Sequence, residues 1–205
     1  MADNNAQQFQ KLLGQLYEAV KRHDPAALAK IRELLKKVPQ EPNLLHLAGL
    51  ASADRNDWAA AIDYLTRSLG RQPAQPEVNN NLANIYARQG NNTLAEQHYR
   101  QALSLQPEFQ NAWRNLGLLL TETEPLVALA ALTQAVELDP QDVSALTALG
   151  DVCKALDNFD KAREYYQQAL SINPAYVNAL HNLGLCYKLN DELDLAIDCY
   201  EQALA

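Results

Sequence analysis

Glycine is scarce in this chain. Seven occur in 205 residues, a frequency that suits helices, where glycine is a poor interior residue. Cysteine is scarcer still. Cys153, Cys186 and Cys199 all lie in the last third, and their odd number and irregular spacing argue against a disulfide framework. They read as small core fillers. Long apolar runs are missing as well. No run approaches 18 residues, so no transmembrane helix is expected. The opening residues, Met1 to Gln8, lack the basic and apolar regions of a signal peptide, so a cytoplasmic location is expected. Positive charge is in deficit: 17 Lys and Arg stand against 25 Asp and Glu, for a net charge of −8. Non-specific nucleic-acid binding is therefore not expected. No Gly-rich phosphate loop, nucleophile elbow or paired-carboxylate pattern occurs. The four histidines have no ligand partners at metal-binding spacing. The expectation is a protein with no catalytic residues, no metal and no cofactor.

What the sequence has is a period. Pro39, Pro73, Pro107, Pro140 and Pro174 follow one another at steps of 34, 34, 33 and 34 residues. Other residues keep the same phase. Gly49, Ala83, Gly117, Gly150 and Gly184 form one column, and Ala61, Ala95, Ala128, Ala162 and Ala196 a second. Leu65, Tyr99, Leu132, Tyr166 and Tyr200 form a third, and Ser68, Ala102, Ala135, Ala169 and Ala203 a fourth. Between prolines, apolar residues fall at helical spacing on either side of a polar break, as at Leu156 to Asn158, which predicts two amphipathic helices per period. Small residues let two helix backbones approach, and large apolar ones fill the grooves beside them. One hairpin cannot bury its apolar faces alone; stacking buries them. Tyr99, Tyr166 and Tyr200 sit in the large packing column, so they read as core and not as a stacking or catalytic set.

The 34-residue period and the small, small, large, small, proline order resemble the tetratricopeptide repeat (TPR) family. The resemblance is strong from Pro42 to Ala205 and weaker from Gln8 to Glu41, where Gln15 occupies the glycine column. It implies an all-α, right-handed solenoid of about six hairpins forming a single array. The phase predicts a divergent hairpin over 1–41, repeats over 42–75, 76–109, 110–142 and 143–176, and an incomplete last repeat over 177–205. Asp24 is predicted to cap the second helix of the first hairpin. The fourth repeat is one residue short, at the turn around Thr121 to Pro125. The last helix carries an apolar stripe of Leu193, Ile197, Tyr200 and Leu204 with no closing helix after it. That stripe raises two expectations: a longer protein of which this is the amino-terminal part, or packing against another copy of the chain.

In TPR arrays the first helices line a concave groove, and the resemblance places its exposed positions at the second, fifth, sixth, ninth and twelfth residues of each repeat. Here these include Asn43, Glu77, Asn111, Ser144 and Asn178 at the second and His46, Asn80, Arg114, Thr147 and His181 at the fifth. Leu47, Asn81, Asn115, Ala148 and Asn182 hold the sixth, and Asn84 and Asp151 are among the ninth. Lys154 and Lys188 are among the twelfth. A carboxamide offers a donor and an acceptor, so it can hold a peptide backbone at two points. Asn81, Asn115 and Asn182 form a row interrupted by Ala148, similar to the asparagine ladder of O-linked N-acetylglucosamine transferases. Asn111, Asn178 and Asn84 are further contacts, and Arg114, Lys154 and Lys188 are expected to meet acidic groups. The clamp that holds acidic chaperone tails needs lysine where Asn80 stands, so that mode is disfavoured. The expected function is a non-enzymatic scaffold that binds an extended peptide or a partner helix. The alternatives are the substrate-presenting arm of a larger enzyme, such as a glycosyltransferase, and self-assembly through the last helix.

Overall fold

The computed structural model describes residues 2–204, with side chains from residue 7 onward. All regular structure among these residues is α-helical. Helices α1 (Ala2–Lys21) and α2 (Ala27–Lys37) make the first pair, α3 (Pro42–Ala53) and α4 (Trp58–Arg71) the second, and α5 (Pro76–Arg88) and α6 (Asn92–Leu105) the third. Then come α7 (Gln110–Leu120) with α8 (Pro125–Leu138), α9 (Val143–Ala155) with α10 (Phe159–Ile172), and α11 (Val177–Leu189) with α12 (Leu193–Leu204). The helices gather into two compact units that divide between Gln106 and Pro107. In the first, α2 packs on α3 and α4 on α5; in the second, α8 packs on α9 and α10 on α11.

Local chemistry sets the helix ends. Gln72, Gln106, Asp139 and Asn173 each precede a hairpin-closing proline and are extended, with ψ of 95°, 90°, 92° and 93°. The proline ring clashes with a helical predecessor, so the helix must stop there. Within hairpins, the first helix ends on a left-handed residue. Asn56, Gly90, Asp157 and Asp191 have φ of 59°, 75°, 57° and 64°. The next amide then donates five residues back: Asp57 to Ser52 at 3.0 Å, and Asn91 to Tyr86, Asn158 to Cys153 and Glu192 to Tyr187 at 2.9 Å. This closure satisfies a carbonyl that the helix end leaves open. Asp57, Asn91 and Asn158 then accept from the third amide of the second helix, the reciprocal job at a helix start.

The fourth hairpin lacks the left-handed residue. Glu124 N donates to Leu120 O, only four residues back, at 2.8 Å, and Pro125 opens α8 at once. The residue missing from the period is thus the left-handed one. The first hairpin differs in another way. His23 is left-handed (φ 56°), but α2 starts at Ala27, and Asp24 does not cap it. Its Oδ1 accepts from Ala26 N at 2.8 Å inside the connecting turn.

The packing columns meet as small against large. A methyl added at Gly49 would lie 2.6 Å from Leu65 carbons, at Gly117 2.5 Å from Leu132, and at Gly184 2.7 Å from Tyr200; Gly150 sits tightly against the Tyr166 ring. Ala61, Ala95, Ala128 and Ala162 are fully buried. Two of the three tyrosines in the large column carry a second device. Tyr99 Oη donates to Asn84 Oδ1 at 2.6 Å and Tyr166 Oη to Asp151 Oδ1 at 2.7 Å, each across its own hairpin. Where the column holds Leu65 or Leu132, the position equivalent to Asn84 holds Leu50 or Leu118; where it holds Tyr200, that position is Leu185. Cys153, Cys186 and Cys199 are buried, and burial pushes all three thiols up. They act as small apolar filler, as the sequence predicts.

Candidate functional site

The first helices of successive hairpins lie side by side within each unit: α1 beside α3 beside α5, and α7 beside α9 beside α11. The candidate surfaces are therefore clefts on these helices. In the second unit a cleft of about 500 Å³ is lined by Leu118 of α7; Ser144, Thr147, Ala148 and Asp151 of α9; and Val177, Asn178, His181 and Asn182 of α11. Tyr176, Tyr200, Ala203 and Leu204 complete it. In the first unit, a cleft of about 360 Å³ is lined by Asn81, Asn84, Ile85 and Arg88 of α5, Leu50 and Ala53 of α3, and turn residues with Trp58.

The expected site residues fall into distinct states. Asn178 is exposed on the cleft wall and Asn111 is exposed on α7. Asn182 is half-buried and already engaged on both sides: its Nδ2 donates to Asp151 Oδ1 at 2.8 Å, and its Oδ1 accepts from Lys154 Nζ at 3.3 Å. Lys154 also lies 3.7 Å from Asp151. Asn81 is half-buried and its Nδ2 meets His46 Nε2 at 2.9 Å. Burial pushes the His46 imidazole down against the opposing pull of Glu77, so a neutral ring accepts this bond. Asn84 accepts from Tyr99, and Asn115 is half-buried on α7. Lys188 is exposed at the end of α11.

Two expectations need correction. Asn80, Thr147, Leu47 and Ala148 were expected on the exposed groove face; all four are buried, at 7%, 5%, 5% and 4% exposure. Thr147 turns its hydroxyl back onto Val143 O at 2.8 Å. Arg114 was expected to await an acidic partner, but Asp142 of this chain occupies it. Arg114 Nη1 lies 2.7 Å from Asp142 Oδ2, and Gln110 donates to the same oxygen. Asp142 Oδ1 also caps α9 by accepting from Ala145 N at 3.0 Å. Burial pushes the Asp142 carboxyl up, but bonds from Arg114, Ala145 and Gln110 and the Arg114 charge outweigh it and hold the pKa below its usual value.

The sequence did not mark Tyr176 or Tyr200 as groove residues, nor the role of Asp151. Asp151 takes the Tyr166 hydroxyl and the Asn182 amide on one oxygen. Burial first, then the bond to Asp151, pushes the Tyr166 phenol far up, so it stays a donor. The signal was present: Tyr166 follows Asp151 by the same 15 residues that separate Tyr99 from Asn84. No helix among the described residues is long and apolar enough to cross a membrane. No group of three His, Cys, Asp or Glu among them could hold a metal ion.

Models of the tetratricopeptide repeat match residues 46–108, 80–124 and 142–205. The chain is 36% identical over 75 residues to the protein O-mannosyl-transferase Tmtc3 of Drosophila melanogaster. It is 32% identical over 78 residues to the HSC co-chaperone sgt12 of Aspergillus fumigatus. These matches cover 36% and 38% of the chain, which spans only 8% and 23% of those two proteins. Among solved structures, pilF of Pseudomonas aeruginosa superposes with a TM-score of 0.84 at 18% identity, covering 94% of this chain and 89% of its own. MamA gives 0.71 at 26% identity (76% and 92% covered). YrrB, described as a TPR protein with an unusual peptide-binding site, gives 0.71 at 19% (85% and 90%). With its repeat phase, its stacked helix pairs and these matches in agreement, the chain belongs to the tetratricopeptide repeat family and has the all-α TPR solenoid fold.

Proposed function

We propose that this chain is a non-enzymatic interaction scaffold whose first helices bind an extended segment of a protein or peptide, with the cleft of the second unit as the principal site. The observation that carries this reading is the state of Asn182. A carboxamide has two N–H donors and two acceptor lone pairs. Asn182 spends one of each on Asp151 and Lys154, which fixes its orientation and leaves one of each for a peptide backbone. Asn178, one turn earlier on the same helix, stands exposed on the same wall. The apolar part of the lining, Leu118, Val177 and the two tyrosines, suits side chains of the bound segment. YrrB supports the class of function by its described peptide-binding site.

A peptide-display selection against the parent and an Asn178→Trp variant tests this. The indole would fill the cleft from an exposed position without touching the core. Peptides that bind the parent and not the variant are expected; equal enrichment on both would refute the cleft as the site. Asn182→Ala is a poorer probe, because it also strips a partner from both Asp151 and Lys154.

Two further readings have an observation each. Leu193, Ile197 and Leu204 of α12 are 54%, 53% and 89% exposed, which favours association between copies of the chain through that helix. A monomer by light scattering at high concentration would refute it. The match to a protein named as an O-mannosyl-transferase favours a substrate-presenting arm in a larger enzyme, which a transferase domain encoded in the same reading frame would support.

A further inference from the structure

The lining of the second unit's cleft is asymmetric in charge. Among its lining residues Asp151 is the single acid, and no lysine or arginine lines it. The basic residues expected to attract an acidic partner are placed elsewhere: Arg114 is bound by Asp142, and Lys188 is not part of the lining. Lys154 is not part of the lining; its Nζ donates to Asn182 Oδ1 and forms an ion pair with Asp151 Oδ1 at 3.7 Å, beyond direct hydrogen-bond reach. Both hydrogen bonds that Asp151 accepts, from Tyr166 and Asn182, go to Oδ1. No hydrogen bond to Oδ2 occurs among the described residues. The carboxylate is thus clamped in orientation, with one oxygen uncommitted at the border of a cleft.

Resting on the cleft as the peptide site, we infer that Asp151 selects a cationic side chain, arginine or lysine, in the bound segment. The uncommitted oxygen accepts from the guanidinium or ammonium group, a charge-assisted bond that is stronger than a neutral one. The methylene stem lies along Leu118 and Ala148, as long basic side chains cover apolar surface while their heads stay polar. The rings of Tyr176 and Tyr200 line the same cleft and favour a cation over an anion. The net charge of −8 raises the encounter rate with basic segments and lowers it with acidic ones.

The test uses degenerate ten-residue fluorescent peptide pools without other charges, in which one central residue is arginine, lysine, citrulline or glutamate. Binding is read by anisotropy on the parent, Asp151→Asn, Lys154→Gln and Asn178→Trp. The parent should bind the arginine pool about five- to tenfold more tightly than the citrulline pool, the size of one charge-assisted bond at a half-exposed site. Asp151→Asn keeps acceptors for Tyr166 and Asn182 and should abolish that ratio. Lys154→Gln removes a competing cation and should raise it, a change of opposite sign that a merely structural role for Asp151 does not give. If Asp151→Asn does not fold, the salt dependence of the arginine-to-citrulline ratio on the parent decides: a ratio that salt leaves unchanged overturns the inference. Pools that bind equally, or a preference for glutamate, with binding still lost in Asn178→Trp, overturn the cation site and leave the cleft standing. Binding unaffected by Asn178→Trp overturns both.

Discussion

Gly150→Ala isolates the contact that sets the spacing of the fifth hairpin. In an exposed helix interior this change stabilises by about 0.5–1 kcal/mol, because alanine loses less backbone entropy. At Gly150 the new methyl falls inside van der Waals distance of three Tyr166 ring atoms. The ring is fully buried and its hydroxyl is tethered to Asp151, so it cannot swing away, and the helices must separate. Overpacking of this kind costs about 1–3 kcal/mol. Contact with three atoms of an immobile ring puts the cost near the top of that range, for a net loss of about 2 kcal/mol. In a chain of this size that lowers Tm by about 4–8 °C. Gly70→Ala is the control: Gly70 is exposed in the last turn of α4, and an added methyl meets nothing within 4 Å. Thermal melts followed by circular dichroism should therefore move in opposite directions, down for Gly150→Ala and up by a few degrees for Gly70→Ala. A Gly150→Ala melt that rises alongside Gly70→Ala would refute the close approach and with it the assigned packing column.

Asp142→Asn should cost about 1–2 kcal/mol at pH 7 by weakening the bonds to Arg114 and Gln110. Because the folded pKa of Asp142 is depressed, its contribution is present above the unfolded value of about 3.9 and is lost as pH falls through the folded one; denaturant titrations should show the parent and variant converging below about pH 4. Ser52 Oγ is buried with no hydrogen-bond partner among the described residues, so Ser52→Ala should raise stability by about 1 kcal/mol, read from the urea midpoint. Burial of Cys153, Cys186 and Cys199 predicts no reaction with an aromatic disulfide reagent at pH 8 in the native chain and three equivalents released after unfolding; rapid native labelling of any of them would contradict their placement. Gly90→Ala should cost about 1 kcal/mol through its left-handed backbone, whereas Asp157→Gly should cost little or stabilise.

The fold was legible because it is written several times over. One hairpin such as Asp142 to Pro174 gives an amphipathic pattern, but the return of Gly49, Gly117, Gly150 and Gly184 in phase also fixes which residues face each other, and these glycines do meet Leu65, Leu132, Tyr166 and Tyr200. The site was less legible because repeat phase locates a position and not its hydrogen-bond partner. Asn80 and His181 share the fifth position, yet Asn80 is buried and His181 is exposed. Arg114 appears as a free cation in the sequence because Asp142, which binds it, lies 28 residues away. Asp24 has the chemistry of a helix cap, but the left-handed His23 turns the chain so that its carboxylate serves the turn instead of the helix start.

The pairing of a tyrosine hydroxyl with an acceptor in its own hairpin bears on how such an array can be rebuilt or inherited. Tyr99 with Asn84 and Tyr166 with Asp151, or leucine at both positions, are two matched spellings of one unit; the sixth hairpin, with Leu185 and Tyr200, mixes them. Exchange of segments at the prolines carries each of these two pairs intact. A crossover inside the polar turn would separate Tyr166 from Asp151, and the fully buried Tyr166 would lose the acceptor that its hydroxyl uses. The proline joints are not free of such ties either: a splice at Pro73 separates buried Gln75 from Ser68, and one at Pro174 separates Asn182 from Asp151.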